Sequence, residues 1–591
     1  MCGLVCIFNY QNNKNVDIDQ LKLIKDRMRF RGPDGEGVWL NENKEVGLGH
    51  VRLSIIDIDT SSNQPLISEC KRYVIVFNGE IYNYKELRDE LINSGYIFNT
   101  KSDTEVILNL YKKFGYDFHK KIRGMFSFII WDDKDKELIA ARDHFGIKPL
   151  YYYDLNGQII FSSSVKSLAA DNSLNLDISE AGHVGFLMLG HIPEPFTLYK
   201  NIKAVPSGSI MLVRKKEKKL TKYFDIKNEI QNSLSNLDTK RENIFDELDN
   251  HIDQTINYHM TSDVDVSLFL SGGLDSGTIL SYMAKNYNNN NSITLGFKEF
   301  YNTPNNEVIR AKKFAEKFES NHIIETINKN FYLNIEKDFY NKMDQPTIDG
   351  LNTYLVSRLA KKNNYKVAIS GIGADECFAG YPSFSQIPKL LKYFKRFPLK
   401  NKIFNALSSL NNGINLKIKP KYLGILKFSN SVAEAYFLRR SLHMPWEIRD
   451  LLGDAFFNNG YEELNLIKTM ESDTIPYADI RTNIIILEFN YYLKNQLLRD
   501  ADWAGMANSV EIRTPFVDYH FFKKLLPLMI SLKPPGKIDM SQNLKKKFDD
   551  NFLRNKKSGF STPINIWEKG SKLFNNKERS KNILKKFNTI N

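Results

Sequence analysis

The stretch VSLFLSGGLDSGTILSYMAKNY, residues 266–287, limits the folds open to this chain more than any other. Residues 266–270 form an apolar run of the kind found in buried strands. Thr278, Ile279, Leu280 and residues 282–284 read as a helix. Between them lie Ser271-Gly272-Gly273-Leu274-Asp275-Ser276. A strand that passes into a helix through small residues leaves backbone N–H groups free at the helix N-terminus. Those groups and the helix dipole attract anions. The glycines let the main chain approach phosphate oxygens, and Ser271 and Ser276 add hydroxyl donors. Bare phosphate would repel Asp275, so its presence implies a bridging cation such as Mg²⁺. The GxxxxGK[ST] loop occurs nowhere in the chain. The bland alternative is a Gly-Ser turn, and the complete motif between strand and helix argues against it.

Beyond the loop, strand and helix alternate. Residues 292–297, 322–327 and 365–370 read as strands, and 307–318 and 353–362 as helices. Such alternation implies a parallel sheet with helices on both faces. Ligands of these sheets bind at the carboxyl ends of the strands. Three ends therefore converge: 270–276, Leu295-Gly296, and Ser370-Gly371-Ile372-Gly373-Ala374-Asp375-Glu376. Asp375 is the natural partner of Asp275 for Mg²⁺, since both offer hard oxygen ligands.

At 591 residues the chain exceeds one hydrophobic core, so two main domains are expected. Its formal charge, 82 − 69 = +13, is mild over that length. The lysine clusters at 214–219 and 545–547 read as solvated loops, and no nucleic-acid partner is expected. Four cysteines, Cys2, Cys6, Cys70 and Cys377, form neither a disulfide framework nor a zinc site and suit a reducing cytosol. No basic region precedes the first apolar residues, so no signal peptide is expected. No run approaches the ~18 apolar residues a membrane span needs, so no membrane partner is expected.

Cys2 stands directly after Met1. Removal of Met1 would leave a thiol and an α-amine on one residue. With a thiol pKa of ~8.5 and an amine pKa of ~7.7–8, the amine can take the thiol proton near neutral pH. Downstream lie ordered motifs: RFRGPDG at 29–35, HVRLSIID at 50–57, FNGEIYN at 77–83 and SDTE at 102–105. Together they resemble the class II, N-terminal-nucleophile glutamine amidotransferase domain. The resemblance implies stacked antiparallel sheets flanked by helices, an αββα sandwich, with Cys2 as nucleophile. It assigns the oxyanion hole to the Asn78 amide and the Gly79 N–H. Arg52 would take the glutamine α-carboxylate, and Asp103 and Glu80 its α-amine. Leu53, Ile55 and Ile56 would complete the glutamine site.

The SGGLDS loop resembles that of the ATP pyrophosphatase superfamily, whose members cleave ATP to AMP and pyrophosphate. That assigns ATP binding to Leu270, Ser271, Gly272, Gly273, Asp275, Ser276, Leu295, Ser370 and Gly371. With both halves in view the chain resembles the glutamine-hydrolysing asparagine synthetase family over nearly its whole length. Further matching stretches are Asp344-Gln345-Pro346, LRDADW at 498–503, VEIRTPFVD at 510–518 and KKSGFSTP at 556–563. The resemblance implies that Lys557 steadies charge on the phosphates or the adenylate, and that Arg513 sits near the acceptor pocket. The expected domains are 2–224 and 239–575, with a linker at 225–238 and a Lys/Asn-rich tail at 576–591. Residues 389–477 read as helical and carry no usable motif.

The implied reaction is ammonia release from glutamine at Cys2, adenylation of a carboxylate by ATP and Mg²⁺, and attack of ammonia on the adenylate. The readings leave room for a homodimer. One departure stands out. Family members usually carry an acid where this chain has Ile372, and an aliphatic side chain cannot deprotonate the attacking amine. Glu376 or a phosphate oxygen would then serve, or the acceptor is a carboxylate other than aspartate, such as a uronic acid. A scaffold without activity is the third reading, and the intact Cys2, Arg52, Asn78, Gly79, Asp103, Asp275 and Asp375 argue against it.

Overall fold

The computed structural model describes residues 2–12, 14–235, 244–288, 290–400, 402–407, 419–554, 562–569 and 576–587. The first half is a pair of antiparallel sheets. One has six strands in the order β10-β8-β9-β1-β3-β2. Its members are β1 (Gly3–Phe8), β2 (Gly35–Leu40), β3 (Val46–Arg52), β8 (Tyr151–Leu155), β9 (Gln158–Ser162) and β10 (Ile202–Ala204). The other runs β12-β11-β7-β6-β5-β4. It comprises β4 (Leu66–Ile67), β5 (Tyr73–Ile81), β6 (Gly124–Asp132), β7 (Glu137–Arg142), β11 (Ser209–Arg214) and β12 (Glu217–Lys222).

Strand periodicity sorts the side chains into layers. On β1, Leu4, Cys6 and Phe8 meet Val74, Val76, Ile129 and Trp131 of the facing sheet. Val5 and Ile7 point the other way, onto Leu21, Ile24 and Met28 of the helix Ile18–Asp26 and the turn after it. Burying each such side chain stabilises the fold by about 1.5–3 kcal/mol. The outcome is the layered αββα sandwich, and β1 and β5 are buried along their whole lengths.

The second half is built on a five-stranded sheet in the order β15-β14-β13-β16-β17. The strands are β13 (Val266–Phe269), β14 (Asn291–Phe297), β15 (Asn321–Ile327), β16 (Val367–Ile369) and β17 (Glu511–Arg513), and every pairing is parallel. The chain lays β14 and β15 to one side of β13 and then returns to lay β16 and β17 on the other. The reversal opens a crevice between the carboxyl ends of β13 and β16, where such sheets bind ligands. Among the described residues no helix is long and apolar enough to cross a membrane.

Two stretches differ from the sequence reading. The expected linker contains a helix, Ile226–Ser235, anchored by buried Ile226 and Ile230. In the expected tail, Asn576–Lys586 is helical and buries Arg579, Ser580, Ile583 and Leu584. In both, apolar or amphipathic residues spaced three or four apart form a stripe that polar composition conceals.

The halves share one core, in which Ile81 and Tyr82 cluster with Leu268 and Ile369. Buried ion pairs cross the seam: Arg31 to Asp502 at 2.9 Å and Arg123 to Asp518 at 2.9 Å. Asp344 accepts from Lys166 N at 3.0 Å and from Ser164 Oγ at 2.5 Å. Lys366, just ahead of β16, reaches Asp34 at 2.8 Å.

Candidate active sites

Cys2 sits at the entrance to β1, 7% exposed. Its backbone nitrogen donates to Asn78 Oδ1 at 3.0 Å. The residue before it lies outside the described residues. In a processed chain that nitrogen is the α-amine, so Asn78 Oδ1 orients the base. The other end of the same amide, Asn78 Nδ2, is buried and finds no partner among the described residues. A buried amide donor without a partner costs about 1–3 kcal/mol, and it suits an oxyanion that exists only during reaction. Gly79 comes next on β5; a Cβ there would lie 2.1 Å from the Met125 carbonyl, so no side chain fits. Burial pushes the Cys2 thiol above its ordinary value, against the pull of the Leu53 N–H and the Arg52 charge. A neighbouring base is therefore needed to make a thiolate. Arg31 Nε donates to the Cys2 carbonyl at 3.1 Å while its other arm holds Asp502 across the seam.

The residues expected to bind glutamine surround this point. Arg52 donates to Asp59 O at 2.8 Å, Asn63 Oδ1 at 3.1 Å, Ile56 O at 3.3 Å and the Asp57 carbonyl. It must exchange some of these bonds to grip a carboxylate. Leu53, Ile55 and Ile56 are buried in the adjoining loop. That loop is tied to the second half, because Asp263 N donates to Ile55 O at 3.1 Å. Asp103 begins the helix Asp103–Phe114 and accepts from Ile81 N at 3.0 Å. Burial raises its carboxyl to about 6. Glu80 is also buried, and desolvation together with Glu511 and Asp103 raises its carboxyl well above the usual range.

The resemblance places Arg513 near the acceptor pocket; in the structure its guanidinium is taken up by the seam between the halves. It is fully buried, bonded to Glu511 at 2.6 Å, His259 O at 2.8 Å and Thr261 O at 2.6 Å, and it lies 3.5 Å from Glu80. It is a brace of the seam beneath the glutaminase station. Only its backbone serves the other station, where Ser370 N donates to the Arg513 carbonyl at 2.9 Å.

At the second station Leu270 directly follows the strand and Gly273 caps the helix Leu274–Asn286. Gly272 takes φ +62°, and a Cβ there would lie 3.0 Å from the Glu307 carbonyl, which explains the glycine. Ser271 N donates to Ser276 Oγ at 3.2 Å, closing the loop on itself. The second loop packs on the first: a Cβ on Gly371 would meet Asp275 Cβ at 2.8 Å. Leu295 lies within β14, and its side chain is part of a core cluster with Phe339 and Leu355.

The two expected metal ligands converge on one cation. Lys537 Nζ bonds Asp275 Oδ1 and stands 2.9 Å from Asp375 Oδ1. Lys537 lies 262 positions from Asp275 in the chain, and sequence reasoning missed it because nothing local marks it. Among the described residues no cluster of three or more His, Cys, Asp or Glu could hold a metal. Two carboxylates fit Mg²⁺ nevertheless, because that ion commonly takes one or two carboxylates together with substrate phosphates. Glu376, fully buried, accepts from Tyr381 Oη at 2.9 Å. Burial, Asp375 and Glu488 raise its carboxyl to about 8. Ile372 packs on the shared core. Lys557 lies outside the described residues.

These features define a class: a glutamine amidotransferase built on a cysteine-led αββα sandwich and joined to a parallel-sheet synthetase with a phosphate loop. Family models match both halves, one described as a glutamine amidotransferase domain over residues 1–224 and one as asparagine synthase over residues 247–588. An asparagine synthetase (glutamine-hydrolyzing) 1 from Bacillus subtilis strain 168 is 33% identical, spanning 96% of this chain and 88% of the relative. A putative asparagine synthetase (glutamine-hydrolyzing) of Mycobacterium tuberculosis H37Rv is 30% identical over 92% of this chain and 84% of its own. An amidase named chry2, from Gibberella zeae, is 27% identical over 90% and 83%. The chain belongs to the asparagine synthase family. Membership places it among ATP-dependent carbon–nitrogen ligases that draw nitrogen from glutamine.

Proposed function

We propose that the protein is a cytoplasmic glutamine-dependent asparagine synthetase. Cys2, freed by removal of Met1, attacks the glutamine amide, and its α-amine, oriented by Asn78 Oδ1, takes the thiol proton. Asn78 Nδ2 and the Gly79 N–H receive the oxyanion. Arg52 turns from its loop carbonyls to the α-carboxylate, and Asp103 pairs with the α-amine. At the second station ATP lies on the two loops at the sheet reversal, its phosphates against Ser271, Gly272, Gly273 and Ser276. Asp275 and Asp375 would hold Mg²⁺, which supplies charge neutralisation on the phosphates; Lys537 is the cation already between them. The aspartate side-chain carboxylate attacks the α-phosphorus, pyrophosphate leaves, ammonia attacks the acyl carbon, and AMP departs. Glu376 is the candidate to take the proton that Ile372 cannot.

The observation that carries this reading is the Asn78 amide, with one end on the Cys2 nitrogen and the other buried and unmatched. Ammonia at neutral pH is mostly ammonium, so it must travel inside the protein. The seam lined by Arg31, Asp502, Glu511 and Arg513 joins the stations and is the route we assign. The test supplies glutamine, ATP and Mg²⁺ with and without aspartate, and measures AMP and asparagine. Stoichiometric AMP and asparagine support the reading; ADP as the nucleotide product sinks it. Ile372 favours a second reading in which another carboxylate is amidated. Aspartate-independent glutaminase that is coupled to AMP release by a uronic acid would establish that alternative.

A further inference from the structure

A cavity of about 510 Å³ opens where Leu189 and His191 of the first half meet the helices of the second. That volume lies in the ~300–1,000 Å³ range of pockets built for small-molecule ligands. Four cations line it, Lys421, Arg439, Arg440 and Arg579, against one carboxylate, Asp349. Charge of one sign on the walls of a low-dielectric pocket concentrates ligands of the opposite sign.

One of the four points unambiguously to a ligand. Arg579 is 4% exposed. Its Nη1 donates to the Ile348 carbonyl at 2.7 Å, which fixes the guanidinium. Its Nε and Nη2 are buried and find no partner among the described residues. Those two donors form the edge of the guanidinium fork that takes a carboxylate through two parallel bonds. Arg440 differs: it bonds Glu488 at 2.6 Å and stacks 3.6 Å from the Tyr492 ring centre. Arg440 Nε is also without a partner among the described residues, but of the four cations only Arg579 keeps two adjacent donors unmatched, with Asp349 the carboxylate whose charge it feels.

The cavity adjoins the reaction centre through a single side chain. Tyr381, whose ring packs on Tyr492 and beneath Arg440, donates to Glu376 of the second nucleotide loop. Tyr491, Tyr492 and Gln496 enter the cavity from Glu488–Leu498, which winds as a π-helix. Extended π-helix is rare and concentrates at functional sites. The accumulated positive charge also registers on Lys421, whose ammonium is driven down to about 8 by burial and by Arg439 and other cations nearby.

We infer that this cavity holds the acid to be amidated, and that Arg579 grips a second anionic group on it, remote from the carboxylate that is activated. The acceptor class is thus a dianion or larger, of which aspartate, with its α-carboxylate on Arg579, is the smallest. Asp349 faces the same cavity, positioned for an ammonium or hydroxyl of the acceptor. This deepens the proposed function and rests on its amidation chemistry, but not on aspartate being the acceptor.

The test compares aspartate with β-alanine, which is aspartate without its α-carboxylate, by AMP release in the wild type, Arg579→Gln and Arg579→Lys. The wild type should prefer aspartate at least 100-fold in kcat/KM. Arg579→Gln should raise the acceptor KM at least tenfold and collapse that preference, with the ATP KM and glutaminase rate within about twofold. Arg579→Lys should recover part of the preference. An unchanged aspartate to β-alanine ratio in Arg579→Gln overturns the proposal, as does an equal rise in the ATP and acceptor KM. If the wild type releases no AMP with aspartate, the aspartate reading fails by itself. The site is then tested by titrating succinate into the full chain loaded with a non-hydrolysable ATP analogue. Binding that Arg579→Gln abolishes supports it, and no binding, or binding that survives the substitution, overturns it.

Discussion

The two stations of this molecule are built in opposite ways. The glutaminase station is local. Cys2 leads into one strand and Asn78 lies on another of the same sandwich, and a single side-chain amide holds the Cys2 nitrogen at one end and keeps an unmatched donor, among the described residues, at the other. The synthetase station is assembled from afar. Its two loops lie at the reversal of a parallel sheet, its carboxylates are bridged by Lys537, and the cationic cavity draws its walls from residues as far apart as Leu189 and Arg579. A nucleophile needs a base and an oxyanion donor, which two strands from facing sheets can supply. A site for a nucleotide and an acid together needs surfaces from several elements.

That contrast can be broken at its two poles. Cys2→Ala should abolish glutamine use, by at least ~10⁴-fold given the weight carried by covalent nucleophiles, while AMP formation with added ammonium persists. Asp375→Asn should do the reverse, lowering AMP formation by about 10²–10³-fold, as expected for loss of a charge-stabilising group, and sparing glutamine hydrolysis. Steady-state rates of glutamate and AMP release check both; loss of both activities in either variant would deny that the stations are separable.

The seam sharpens the comparison, since it serves both stations. Arg31→Met strands Asp502 as a buried charge and should cost about 3–5 kcal/mol of stability, read as a lower denaturation midpoint. It should also slow glutamine hydrolysis, because Arg31 holds the Cys2 carbonyl. The double variant Arg31→Met/Asp502→Leu should regain most of the stability and none of the rate.

The smallest effect is one of pH. Asp103 is raised by burial from 3.8 to about 6, and only its ionised form can pair with the glutamine ammonium. Glutamine kcat/KM should therefore rise about tenfold per pH unit below 6 and level off above it. Asp103→Asn should flatten that limb at a low value. The same shift makes the folded state bind the Asp103 proton more tightly than the unfolded chain does. Its stabilising effect is present below pH 4 and fades as pH rises through 6.

Much of the fold was legible. The strand readings at 292–297, 322–327 and 365–370 fall on β14, β15 and β16; short runs rich in β-branched residues mark these strands even at β15, the half-exposed edge of the sheet. The SGGLDS loop lies where strand and helix periodicity meet. Other residues were misread or missed because their partners are distant. Resemblance assigns Arg513 to an acceptor pocket, and the structure spends it on Glu511, His259 and Thr261. Lys537 has no motif. Arg579 lies in a stretch that reads as a tail, where high lysine and asparagine content masks the Ile583 and Leu584 stripe.

The sequence alone determined that a cysteine stands at position 2, that a Gly-Ser-Asp loop joins an apolar strand to a helix, and that each of two such loops carries an acid, Asp275 and Asp375. Within each motif the residues are near neighbours in the chain, and neighbours constrain one another through backbone geometry. Only the tertiary structure decided which amide end faces inward at Asn78, which cation lies between the two acids, and that Arg579 keeps two adjacent donors unmatched among the described residues. Those outcomes depend on residues hundreds of positions apart being packed into one dry interior, where an unmatched donor becomes visible because water is no longer there to satisfy it.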